Sequence, residues 1–216
     1  MAAKPKFPVL NIILLAAAAV VLVIAFKFSK GANKPLSILP YYGPKHYNPV
    51  TKDTVYHTVL NFHLTDQMGQ PVTLDTFSHK IFVANFFFAS CPGICKKMNS
   101  ELEWVTHKFA HNPNVKFVSY TVDPMRDSVP VLAEYAKLHN AIPYQWYFLT
   151  GNKDSIYNLA WKSYYSAVHQ NGVNFVHSSN LALVDRHGHI RGFYQGTDSA
   201  DIVRMIADIH ALLKEN

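Results

Sequence analysis

Two cysteines, Cys91 and Cys95, are the only thiols among 216 residues, and they stand four positions apart. Before them runs Ile81-Phe82-Val83-Ala84-Asn85-Phe86-Phe87-Phe88, an apolar stretch that reads as a buried strand. After them, Lys96 to Ala110 reads as a helix. Proline suits the first helical turn, so Pro92 is expected to open that helix with Cys91 just ahead of it. Cys91 would then face the positive helix end, which favours its thiolate. Cys95 would follow one turn later on the same face, with Cα atoms about 6 Å apart, inside the range a disulfide spans. The same pair of thiolates could chelate one soft ion such as Cu(I) or Zn(II). The residue types therefore point to thiol redox or soft-metal chemistry, against the bland alternative of two buried spectator thiols. A four-cysteine zinc site is excluded by the count, while a zinc site of two cysteines and two histidines stays open in principle.

The elements that must position this pair alternate along the chain. His57 to Leu64 and Pro71 to Leu74 read as strands joined by a turn at Asp66-Gln67-Met68-Gly69. Val115 to Val122 and Gln145 to Leu149 are expected strands, and Val129 to Asn140 and Lys153 to Tyr165 are expected helices. Leu181 to Val184 and Ile190 to Tyr194 flank Asp185-Arg186-His187-Gly188, a hairpin signal. Asp198 to Lys214 closes the chain as a helix capped by Thr197 or Asp198. Alternation predicts parallel strands with an antiparallel late hairpin. A cysteine pair after the first central strand of such a sheet suggests an α/β thioredoxin-like fold, a mixed central sheet flanked by helices.

The amino-terminal part has a different character. Pro8 to Phe26 is uncharged and long enough to span a bilayer as a helix. Its apolar run continues past Ala17-Ala18-Ala19, so the expectation is an uncleaved transmembrane anchor rather than a signal peptide. The expected organisation is a short head at 1–7, an anchor at 8–26, a Pro- and Tyr-rich linker at 27–50 and a folded domain at 51–216. The folded domain is expected on the extracytoplasmic, periplasmic-type side of the membrane. The formal net charge of +6 resides in the first fifty residues, which hold six lysines and no acid. Acids and bases balance in the remainder, so no basic face for nucleic acid is indicated.

Four motifs in order carry a resemblance: Phe62-His63-Leu64-Thr65-Asp66-Gln67-Met68-Gly69-Gln70-Pro71-Val72, Ser90-Cys91-Pro92-Gly93-Ile94-Cys95, Val122-Asp123-Pro124-Met125-Arg126-Asp127, and Val176-His177-Ser178-Ser179-Asn180. Together they resemble the Sco (SCO/SenC) family, membrane-anchored thioredoxin-fold proteins of copper delivery to cytochrome c oxidase. The resemblance runs from about Val59 to the carboxyl terminus. It implies a copper site made of Cys91, Cys95 and His177. It also implies, as partners, the oxidase's copper-bearing subunit and other copper chaperones. Two thiolates and an imidazole form a soft, low-coordinate set suited to Cu(I). Asp123 is expected beside the site, orienting a loop or holding Arg126. Met98 is expected to pack rather than ligate, and His169, His187 and His189 to be exposed loop residues. Gly93-Ile94 and Lys96-Lys97 depart from the family's pattern and make the rim of the site more basic.

Two functions follow from these residues. One is a copper metallochaperone. The other is a thiol-disulfide oxidoreductase in which Cys91 attacks and Cys95 resolves. His177 and the three-residue gap between the cysteines favour the first. A peroxiredoxin-type peroxidase is disfavoured because Phe88-Ala89-Ser90 lacks that family's threonine.

Overall fold

The computed structural model describes residues 38–166, 169–171, 174–176 and 179–215. The compact unit runs from Leu39 to the carboxyl terminus. Among the described residues no helix is long and apolar enough to cross a membrane, and the stretch expected as an anchor, 8–26, lies outside them.

The seven residues of β5 (Ile81–Phe87) are all buried, as a run apolar but for Asn85 requires of a central strand. β5 pairs in parallel with β6 (Val115–Thr121), and β6 in parallel with β7 (Trp146–Leu149). On the other side of β5 lies β10 (Asn180–Val184), antiparallel to it and to β11 (Ile190–Gln195). The sheet order is β11-β10-β5-β6-β7. Helices α1 (Ile94–Lys108), α2 (Val129–Leu138) and α4 (Ser199–Lys214) contribute to the core on one face. Helix α3 (Lys153–Tyr164) and the hairpin of β3 (His63–Thr65) and β4 (Pro71–Thr73) contribute to the core on the other. This is the mixed sheet expected of a thioredoxin-like fold.

The alternation of a strand divides β5 between the two cores. Ile81, Val83 and Phe87 face α1, while Phe82, Ala84 and Phe86 face α3. Helix α4 starts where expected, with the Asp198 carboxylate accepting from the Ala200 N–H at 2.9 Å.

Several boundaries differ from the sequence reading. Residues 57–62 are not a strand; pairing is confined to β3 and β4. Two further antiparallel hairpins form: β1 (Lys45–Asn48) with β2 (Asp53–Tyr56), and β8 (His169–Asn171) with β9 (Asn174–Val176). The first lies across the expected linker boundary. Residues 39–42 also belong to the compact unit rather than to a spacer. Leu39 is buried, its carbonyl accepts from Arg191 Nη2 at 2.7 Å, and the Tyr42 N–H donates to the Ile190 carbonyl at 2.9 Å. A buried guanidinium fixes this segment by capturing its backbone.

Candidate metal and thiol site

The cysteines sit where β5 ends. Phe87, the last residue of β5, accepts from the Val122 N–H at 2.7 Å, and the chain then turns so that the Cys91 N–H meets the Phe88 carbonyl at 3.2 Å. The helix does not begin at Pro92. Gly93 is the N-cap residue and α1 starts at Ile94, so Cys95 lies in its first turn and Cys91 precedes the cap by two residues. Pro92 and Gly93 form a bend after the Cys91–Phe88 turn, and the first helix-type hydrogen bond runs from the Lys96 N–H to the Gly93 carbonyl at 3.1 Å.

Both sulfurs are thiols rather than a disulfide, and both side chains are buried. Burial pushes the Cys95 thiol well above the ordinary thiol range. A hydrogen bond with Cys91 and the charge of a Cys91 thiolate raise it further, while contacts with the backbone of Phe88 and of Cys95 itself act the other way. Two anions cannot share so small an apolar space without compensation. Cys95 therefore keeps its proton until a cation, or oxidation, removes it.

Polar groups line the floor of this space, although β5 is otherwise apolar. Asn85 lies on the cysteine-facing side. Its amide donates to Asn99 Oδ1 at 3.3 Å and approaches Met98 Sδ at 3.9 Å, and its carbonyl accepts from the Ser119 hydroxyl at 2.6 Å. Trp146 Nε1 donates to Ser119 Oγ at 2.9 Å, and Asn99 Nδ2 donates to the Tyr135 hydroxyl at 2.9 Å. Tyr135 stacks on Phe87. Burial raises its phenol first, with Asn99 opposing and negative charge at Cys95, Cys91 and Asp127 adding to the rise. The phenol thus lies within electrostatic reach of both thiols. With its oxygen accepting from Asn99, its own proton is available to an anion.

The loop after β6 forms the second wall. Asp127 is buried and accepts from the Ala89 N–H at 3.0 Å and from the Thr121 hydroxyl. It thereby staples the segment just before Cys91 to the end of β6. Burial raises this carboxyl above its ordinary value, and the two hydrogen bonds oppose that rise. Asp123 lies two residues beyond β6 rather than at its end. Its Oδ2 is buried without a hydrogen bond, 3.7 Å from Arg126 Nε, and its backbone carbonyl accepts from the N–H groups of Arg126 and Asp127.

The third wall is the start of β10. Ala182 pairs with Ala84 and Val184 with Phe82, so the antiparallel register brings the beginning of β10 to the end of β5. Gly196, just past β11, donates to the Ser179 carbonyl at 2.8 Å. A Cβ on Gly196 would lie 2.6 Å from Met98 Cγ and 2.9 Å from Ser179 O, so only glycine permits this approach. Ser179 and the helix that carries Cys95 are thereby packed through one glycine.

Of the sequence-derived site residues, the structure brings Cys91 and Cys95 together, with Asp123 in the neighbouring loop. His177 lies outside the described residues. Among the described residues, no three His, Cys, Asp or Glu side chains gather as a metal site. Met98 is fully buried under α1, as packing requires. His187 is exposed, but His189 is half-buried between Tyr41 and Tyr56, with Nδ1 3.6 Å from Asp185 Oδ1. Burial lowers its pKa. His169 lies on β8 rather than in a loop. Asn85, Asn99, Tyr135 and Asp127 were not anticipated as site residues. Asn85 carries a sequence signal as the single amide in an apolar strand, and Asp127 closes the motif that begins at Val122.

A buried dithiol at this position of a thioredoxin-like sheet can be compared with known proteins. The SCO1/SenC family model matches residues 50–214. The chain belongs to the SCO1/SenC family. A SCO1 protein homolog of Bacillus subtilis (strain 168) is 28% identical over 162 residues, covering 73% of this chain and 84% of the relative. Among solved structures, BsSco is described as a member of the Sco family of cytochrome c oxidase assembly proteins with an identified disulfide switch. It is 26% identical, covers 74% of this chain and 95% of its own, and has a TM-score of 0.66. Copper-bound ScoI of Arabidopsis thaliana is 25% identical at a TM-score of 0.61, covering 71% of this chain and 98% of its own. The Sco fold is thus shown for this chain.

Proposed function

We propose that this Sco protein binds copper as cargo through Cys91, Cys95 and His177 and delivers it to the copper-bearing subunit of cytochrome c oxidase during assembly. The observation that carries this reading is the buried dithiol at the end of β5, facing the start of β10. His177 precedes Asn180, the first residue of β10, by three positions. A segment entering that edge is the natural source of a third donor. Two thiolates and an imidazole suit Cu(I), and the apolar walls of Phe87 and Met98 exclude the water that would compete. The copper-bound Arabidopsis relative supports the cargo, and the naming of BsSco supports the oxidase context.

Copper loading would displace the Cys95 proton, so apparent affinity should rise with pH. Transfer would proceed by ligand exchange, the partner's donors replacing the protein's one at a time. In this reading Pro8 to Phe26 anchors the chain as a single span. The domain faces the extracytoplasmic side, and Asp123 holds Arg126 beside the site.

A second reading is favoured by the hydrogen bond between the two unoxidised thiols. Cys91 as thiolate would attack a disulfide of the oxidase copper site, forming a mixed disulfide and releasing one partner thiolate. Cys95 would resolve it, leaving the partner dithiol reduced and Cys91–Cys95 oxidised. Copper titration of the full-length chain with and without His177→Ala separates the two. The metallochaperone reading expects a loss of more than about 100-fold in affinity, beyond what removal of an indirect support to a ligand costs. Unchanged copper affinity in His177→Ala would sink the three-donor site. Failure of the parent to bind copper while it reduces a model disulfide would establish the second reading.

A further inference from the structure

The rim around the buried thiols breaks two rules of surface design. Lys96 and Lys97 occupy the first turns of α1, where the helix dipole disfavours cations, and no acidic residue stands in the first turn. Both lysines are exposed and have no ion pair among the described residues. Across the site, the turn between β6 and α2 presents Met125, 85% exposed, and Arg126, whose nearest acid is the buried Asp123. Ile94 is exposed at the helix start. Methionine and isoleucine are ordinarily buried, and exposed apolar side chains grouped on one rim mark contact surfaces. The turn and the helix start belong to one surface, because Asp127 binds the Ala89 backbone and Val122 binds that of Phe87.

Acidic groups nearby do not cancel this charge. Asp123 and Asp127 are buried, Asp201 is paired with Arg204 at 2.9 Å, Asp198 caps α4, and Glu101, one turn after Lys97, accepts from the Ser199 hydroxyl at 3.2 Å and makes no ion pair among the described residues. The helix forgoes dipole stabilisation in order to keep unneutralised cations at the mouth of the site.

We infer that Ile94, Lys96, Lys97, Met125 and Arg126 form a docking rim for an acidic protein partner with an apolar patch beside its own copper-accepting site. This rests on the proposed delivery function and names the chemistry of the surface that receives the copper. The cations steer encounter, and Ile94 and Met125 supply the short-range contact that sets residence.

The test measures association of the full-length chain with the purified copper-bearing domain of the host oxidase, as a function of salt. The rate constant for association should fall with salt. The double variant Lys96→Glu, Lys97→Glu should slow it about tenfold or more, within the range electrostatic steering supplies. The same variant should raise Tm, because acids suit a helix start, so misfolding cannot account for slower docking. Met125→Ser should speed dissociation and leave association unchanged. Association that is insensitive to both salt and charge reversal overturns the rim. So does a charge-reversal effect seen only on vesicles of anionic lipid, which would assign the rim to the membrane surface. Copper affinity measured in parallel keeps the two proposals apart. Met125→Ser should match the parent in copper affinity, and a parent that binds no copper would defeat the delivery reading while the docking rates still report on the rim.

Discussion

The two faces of the central sheet are built to different ends. On the α3 face, Phe62, Phe77, Phe82, Phe86, Tyr120 and Tyr164 pack as an aromatic cluster, with Phe77 and Phe82 centroids 5.0 Å apart and Phe86 stacked on Tyr120 at 5.2 Å. The polar contact between these aromatic rings is that of the two phenols, 3.2 Å apart. On the α1 face, the same strand carries Asn85, and a chain of buried polar groups joins Tyr135, Asn99, Asn85, Ser119 and Trp146 beneath the thiols. Buried polar networks add less to stability than apolar packing does, but they fix geometry when every member is satisfied. One face thus anchors the domain, and the other holds two sulfurs in a defined, partly polar pocket.

The largest expected effect comes from breaking the anchoring face. Phe82→Ala should lower unfolding free energy by about 3–5 kcal/mol in urea titration. Copper affinity of the molecules that remain folded should be unchanged. A parallel loss of copper affinity would show that the faces are not separable. Asn85→Leu tests the other side. It removes the acceptor for Ser119 and the donor to Asn99, a cost of about 1–3 kcal/mol for the partners left unsatisfied. Unlike Phe82→Ala, it should also shift the potential of the thiol pair. A purely structural role for the network would leave that potential where it was.

The smallest effect is a pH dependence on the thiol face. His139, after α2, is buried beside Tyr135 and Trp146, with Nδ1 3.8 Å from Glu103. Burial lowers its pKa below the ordinary value near 6.5, with Glu103 opposing. The unfolded chain therefore takes up the proton first as pH falls. The stability this neutral ring contributes is complete above about pH 6.5 and is lost as pH drops through the folded value, at no more than about 1.4 kcal/mol per unit. His189 contributes with the same sign away from the site. Asp127 has the opposite sign. Its raised pKa means the fold gains, relative to the unfolded chain, as pH falls toward the carboxylate range. Unfolding curves between pH 7 and 5.5 should flatten in His139→Phe. An unaltered slope would show that the ring is not held neutral.

Much of the anchoring face was legible in the sequence, because a largely apolar strand and helical periodicity are local signals. The cysteine pair was legible for the same reason: two residues, one turn and a change of period. Pro92 looks like a helix opener, but it lies in the bend after the Cys91–Phe88 turn, and α1 starts two residues later. The β1–β2 hairpin is largely exposed, so no alternation of apolar residues announces it. The polar network could not be read, because Asn85, Asn99, Ser119 and Tyr135 come from four elements and meet only in the folded chain. The contact of Gly196 with Met98 and Ser179 is likewise non-local, yet it ties the approach to β10 to the helix of Cys95.

In the proposed function the pocket offers both sulfurs to one copper ion. X-ray absorption at the copper edge of the Cu(I)-loaded, full-length protein counts those donors directly. Two sulfur ligands and one nitrogen are expected, with the nitrogen lost in His177→Ala and one sulfur lost in Cys95→Ser. A parent spectrum with one sulfur or none would contradict the proposed function.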